Sequence, residues 1–144
     1  MPGNITPIFS RVGDVSNNAT SGMATTLLTA TADFTGVSAN HKKVFTADPT
    51  NGSFVQKLRF KALGTNVASV ARIYLNNGDV NTLAVNNSFY GEISLPATTL
   101  INTAATIDID YPMNLALNPN FAIWVGLGTT VAAGWVCTAI GGKY

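Results

Sequence analysis

The chain has 144 residues and a mass of 15.0 kDa, with 47% hydrophobic but only 10% charged residues. Eight Lys and Arg against seven Asp and Glu leave a net charge of +1, which excludes nucleic-acid binding through a strongly basic face. A mean hydropathy of +0.25 excludes a disordered chain, since such chains are charged and poor in apolar residues.

One domain of this length can bury a core without the help of disulfides or metals. The longest apolar runs are a few residues, against the roughly 20 needed to cross a bilayer, so no membrane association is expected. The opening MPGNITPIFSRVGDV lacks a basic stretch followed by an apolar one, and no secretory leader is expected. Cys137 and His41 are the single Cys and the single His. They cannot form a disulfide framework or a Cys/His metal set, so neither metal nor cofactor is expected.

The neutral polar residues dominate, with 18 Thr and 15 Asn beside 18 Ala and one Glu. Thr favours strands and Asn favours turns, so this is the alphabet of an all-β protein. So few charges leave a surface prone to self-association. An oligomer is the expectation; a Thr- and Asn-coated monomer is the alternative.

Residues 1–22 are rich in Pro, Gly, Asn and Ser, and Pro2 and Pro7 exclude a regular helix there. Ile5, Ile8, Phe9 and Val12 need burial somewhere, which predicts an extended N-terminal arm preceding a sandwich domain over 23–144. Residues 23–32 read as a strand, with helix left open by their Ala and Leu. A strand over 42–47 stops at Asp48-Pro49-Thr50-Asn51-Gly52, where Pro presets φ and Asn-Gly accepts left-handed backbone.

Residues 54–63 give the clearest strand: Leu58, Phe60 and Ala62 point one way, Lys57, Arg59 and Lys61 the other. A strand over 67–75 ends at Asn76-Asn77-Gly78-Asp79, a hairpin-turn signal. Further strands are expected over 89–95, over 106–111, where Ile107, Ile109 and Tyr111 alternate with Asp108 and Asp110, and briefly over 115–117. Residues 121–127 and 134–140 read as a closing hairpin. About eight strands at roughly ten-residue spacing predict one antiparallel β-sandwich, jelly-roll-like in its short strands and long connections.

No catalytic constellation emerges. Asp108 and Asp110 share a strand face, and paired carboxylates can hydrolyse glycosidic bonds, but a solvated strand face explains them equally. Lys57, Arg59 and Lys61 form a basic stripe whose spacing matches the two Asp; the pairing could run across strands or across a subunit boundary. His41, beside Lys42 and Lys43 in a polar connection, lacks co-ligands. Asn76 to Asp79 lacks the spacing of a calcium loop. Ser10 and Ser53 have no base partner, and Gly13 and Gly141-Gly142 make no phosphate loop. Trp124 and Trp135 read as core, with stacking on sugars, joined by Tyr74, as the alternative. Four N-x-[ST] sequons, at Asn4, Asn18, Asn51 and Asn86, follow from composition.

The run VFTADPTNGSFVQKLRFKALGTNVASVARIYLNNG and the ending YPMNLALNPNFAIWVGLGTTVAAGWVCTAIGGKY resemble small virion proteins of tailed bacteriophages, in particular capsid decoration, or cement, proteins. The shared features are an F-T-A-D strand end before an Asn-Gly turn, a K-[LV]-R-F strand, an A-R-[IV]-[YF] strand with an N-N-G turn, and a late L-x-L-x-P turn before V-x-L-G. They span about residues 42–144.

The resemblance implies a β-sandwich trimer seated on the exterior of a phage head, bound to the major capsid protein and assembled in bacterial cytoplasm. Ile5, Ile8, Phe9, Lys57, Arg59, Lys61, Asp108 and Asp110 are then the expected interface residues. The alternative is a head-fibre or tail module that binds host glycans.

Overall fold

In the strand Ser53–Ala62, Val55, Leu58, Phe60 and Ala62 are buried while Lys57, Arg59 and Lys61 stay half exposed. The inward positions change parity between Val55 and Leu58. A register shift between Val55 and Lys57 explains this: one extra residue lets the strand bend and keep both side chains inside.

The computed structural model describes residues 12–15 and 25–144. The strands, in chain order, are β1 Val12–Val15, β2 Thr25–Leu27, β3 Lys42–Thr46, β4 Ser53–Ala62, β5 Ser69–Asn76, β6 Asn87–Leu95, β7 Asp108–Leu117, β8 Ala122–Leu127 and β9 Trp135–Lys143. They form two antiparallel sheets that pack as a sandwich. One has the order β1–β9–β4–β7, with β2 beside β1 along the same edge of β9; the other has the order β3–β8–β5–β6. From β2 onward each connection changes sheet except that from β5 to β6.

The core lies between the sheets. Phe60, Leu58, Trp135 and Cys137 from the first sheet meet Phe45, Ile73, Ile123 and Val125 from the second, all fully buried. Burial pushes the Cys137 thiol well above its ordinary range, so it behaves as a small apolar side chain and not as a nucleophile.

Three local expectations need correction. Residues 121–127 and 134–140 do not pair with each other. β8 lies between β3 and β5, and β9 lies against β1, β2 and β4 in the opposite sheet. Both runs are almost wholly apolar because each is central in its own sheet, and the link between them crosses the core's end. Its backbone is held there by Gly128 N–H to Val70 O at 2.8 Å and Val131 N–H to Leu28 O at 3.1 Å.

The strand over 106–111 and the short strand over 115–117 are one strand, β7. It runs through Pro112, which an edge strand tolerates because one row of its N–H groups has no ladder partner. Finally, Asn76 to Asp79 does turn, with Gly78 at a φ of +96°, but it does not close the hairpin by itself. β5 and β6 pair as a hairpin, but residues 77–86 connect them and include a single 3₁₀ turn, Ala84–Asn86.

Of the expected N-terminal arm, only 12–15 is among the described residues, and there it adds β1 to β9, Val12 opposite Lys143. Ile5, Ile8 and Phe9 lie outside the described residues.

Candidate interaction surfaces

The basic stripe and the acidic pair lie side by side on the outer face of the first sheet. Register sets Arg59 opposite Asp110 and Lys61 opposite Asp108. Lys57 Nζ donates to Asp110 Oδ2 at 2.8 Å, and Arg59 grips the same carboxylate twice, Nε to Oδ1 at 2.7 Å and Nη2 to Oδ2 at 2.9 Å. Lys61 Nζ donates to Asp108 Oδ1 at 2.7 Å and to the Thr106 carbonyl at 2.6 Å. Arg59 Nη1 stands 3.9 Å from Asp108 Oδ2, which joins the five groups into one ladder. Of the two pairings open from the sequence, the structure contains the cross-strand one.

The ladder's electrostatics follow. The Arg59 hydrogen bonds, then that from Lys57, hold the Asp110 carboxyl far below the usual carboxylate range. The Lys61 hydrogen bond lowers Asp108, and Asp110 in turn raises Arg59. Both carboxyls are therefore ionised acceptors at neutral pH. The protonated donor that a two-carboxylate hydrolysis needs is not supplied by this pair.

A pH dependence can be worked out from these shifts. A carboxyl whose folded pKa is lowered adds stability above its unfolded value of about 3.9 and loses it as pH falls toward the folded value. The melting temperature should thus be level between about pH 7 and pH 5 and fall below about pH 4. Asp110→Asn should flatten that fall, and salt should weaken the wild-type effect because every member of the ladder is exposed to solvent. A melting series with the same acid slope in wild type and variant would contradict this account.

The sheet edges differ in how they are guarded. Long strand edges invite pairing with other chains, and proteins blunt them with charges, Pro or shortness. β3 carries Lys42 and Lys43. β7 carries Pro112 and the two Asp. β1 and β2 have four and three residues. β6 is less guarded: it is nine residues long, only Leu95 in it is buried, Glu92 is its single charge, and its one interruption is a register shift at Tyr90.

Phe89 and Tyr90 stand on this strand with substantial exposure. Tyr90 meets Tyr111 of β7 edge-on, with ring centres 6.4 Å apart. The inward side chains Ile93, Ile109 and Tyr111 are only partly buried, so the β6–β7 side is where the core lies nearest to solvent. Nothing in the residues 87–95 singled them out as a site, because strand order was not readable. The absence of Lys and Pro was the available signal.

The remaining candidates separate clearly. Trp135 and Tyr74 are fully buried and cannot stack on a ligand, whereas Trp124 is partly exposed. His41 does not lie in an open connection. It is 2% exposed, its ring 4.7 Å from that of Tyr74 and its Nδ1 3.9 Å from Asp33 Oδ2.

The loop that ends at His41 folds over the outer face of the second sheet, where a Cβ on Gly126 would collide with the imidazole. Burial alone would raise the Asp33 carboxyl, but hydrogen bonds from Thr35, Ser38 and Val37 outweigh it and lower it. The Asn76 and Asn77 amide oxygens are spent on their own turn: Asn76 Oδ1 accepts from Gly78 N–H at 2.9 Å, and Asn77 Oδ1 from Asp79 N–H at 3.1 Å. Among the described residues no three His, Cys, Asp or Glu side chains gather as a metal set.

Comparison of the chain with protein families, with curated proteins and with solved structures gives no match.

Proposed function

We propose that this chain is a structural virion protein that associates with itself, as a trimer, and reinforces the exterior of a phage head by noncovalent contacts with the major capsid protein. The observation that carries the reading is the long β6 edge, which lacks Lys and Pro. A nine-residue strand with free edge groups and exposed Phe89 and Tyr90 suits a partner strand, which would gain main-chain hydrogen bonds and cover apolar surface.

The N-terminal arm is the proposed partner. Its Ile5, Ile8 and Phe9 are apolar, and residues 1–11 are enough to match nine positions of β6. Donation from each copy to the next joins two different patches, an arrangement that a ring of three copies satisfies.

Three further features support the reading. The sheet-to-sheet alternation from β2 to β9 suits a jelly roll, the fold expected of such proteins. The resemblance over 42–144 points to decoration proteins. The charge ladder leaves a net charge of one on an otherwise neutral outer face, where Lys57, Arg59 and Lys61 with Asp108 and Asp110 could set register against the lattice.

Cryo-electron microscopy of the intact particle is the test of location. The expected result is two-layered β density on the outer surface of the head, grouped in threes. Density for the chain confined to tail or fibres, or absent from the particle, would overturn the proposal.

A further inference from the structure

On the outer face of the second sheet, the covering loop ends at His41 and an open cleft of about 530 Å³ begins. That is within the range of about 300–1,000 Å³ common for small-molecule sites. Register explains its shape. Thr46, Ala122 and Asn76 form one row across β3, β8 and β5, and Lys43, Trp124 and Tyr74 form the next row on that face. Tyr74 is covered by His41, but Trp124 is left as a partly open wall. Ala122 gives a low floor. Asn77 to Asp79 and Pro119-Asn120 line the far end.

The chemistry of this lining is selective. Lys43 Nζ lies over the Trp124 ring, 5.8 Å from its centre, so it borders the aromatic face that a ligand would share with it. Neither Lys43 nor Asp79 forms an ion pair among the described residues. The buried Trp124 indole N–H has no acceptor among the described residues, although such groups usually find one. One cation and one anion cancel, so a phosphate or another strong anion gains little here. Amide and carboxylate groups make the cleft too polar for a hydrocarbon. An aromatic face bordered by a few donors and acceptors suits a ring that has C–H groups on one face and hydroxyls around its rim.

We infer that the cleft binds a neutral saccharide unit, a hexose or an N-acetylhexosamine, stacked on Trp124 with its hydroxyls taken by Asp79 and Lys43. The inference stands apart from the assembly reading, because the cleft is complete within one copy and needs no particle.

The test is saturation-transfer NMR on the full chain with methyl β-glucopyranoside, methyl β-galactopyranoside and N-acetylglucosamine. At least one sugar should bind in the millimolar range, and Trp124→Ala should weaken it at least about tenfold. Asp79→Asn is the second variant. The amide oxygen can still accept from Val80 N–H, as Asp79 Oδ1 does at 2.7 Å, so the turn persists while the carboxylate charge is lost. It too should reduce transfer, with an unchanged melting temperature. No transfer from any of the three sugars, or equal transfer in wild type and both variants, would overturn the inference.

Discussion

Asn66→Ala should lower the melting temperature by about 8–16 °C. Asn66 is 3% exposed and sits after β4, away from any regular strand. Its Oδ1 accepts from both Ala133 N–H and Gly134 N–H at 2.9 Å, and its Nδ2 donates to Gly134 O at 3.0 Å. Its own backbone pairs with Thr98 in both directions, at 2.9 and 3.1 Å.

One side chain thus closes the β4–β5 turn onto the segment that carries the chain from β8 in one sheet to β9 in the other. Alanine leaves the Ala133 and Gly134 N–H groups without partners, while Gly134 O keeps its bond from Leu63 N–H at 3.0 Å. Each buried unmet group costs about 1–3 kcal/mol, so about 2–4 kcal/mol in all is expected from a total of about 5–15. Asn66→Asp keeps the two acceptor bonds but buries a charge and sets a carboxylate oxygen against the Gly134 carbonyl, so it too should lower the melting temperature. A drop below about 3 °C for the alanine variant would mean that the crossing is held by Gly128 and Val131 and not by Asn66.

Much of the fold could be read before the structure, for a physical reason. Where a strand has one buried and one solvated face, alternation in the sequence records it. Leu58, Phe60 and Ala62 against Lys57, Arg59 and Lys61 is the clearest case, and the structure places both rows as the pattern requires. Turns with a mechanism were legible for the same reason: Gly52 and Gly78 have φ of +78° and +96°.

Strand partners were not legible. β8 and β9 both read as apolar strands, but alternation does not say which sheet a strand joins, and sequence proximity suggested a hairpin that the core's two-sided filling forbids. His41 misled because its neighbours Lys42 and Lys43 are polar, whereas its ring is enclosed by Tyr74 and Gly126 from two other strands. The charge ladder was half legible. The spacing of Asp108 and Asp110 matched the stripe, but their pairing with it depends on β7 lying beside β4. The β6 edge and the Trp124 cleft arise only once strand order places β6 outermost and sets Lys43, Trp124 and Asn76 on one face.

Self-association through the β6 edge is measured by sedimentation of the purified chain at micromolar concentration. Wild type should sediment at three times its 15.0 kDa chain mass. Ser94→Lys should sediment as the single chain. Ser94 is exposed on β6 opposite the half-buried Val70, so a lysine there should change folding stability by no more than about 0.5 kcal/mol while placing on the open edge the charge that the other edges already use. Removal of residues 1–11, which contain Ile5, Ile8 and Phe9, should produce the same single-chain mass, with β1 and the sandwich intact. A wild-type mass of one chain, or a multiple that survives Ser94→Lys unchanged, would contradict the account.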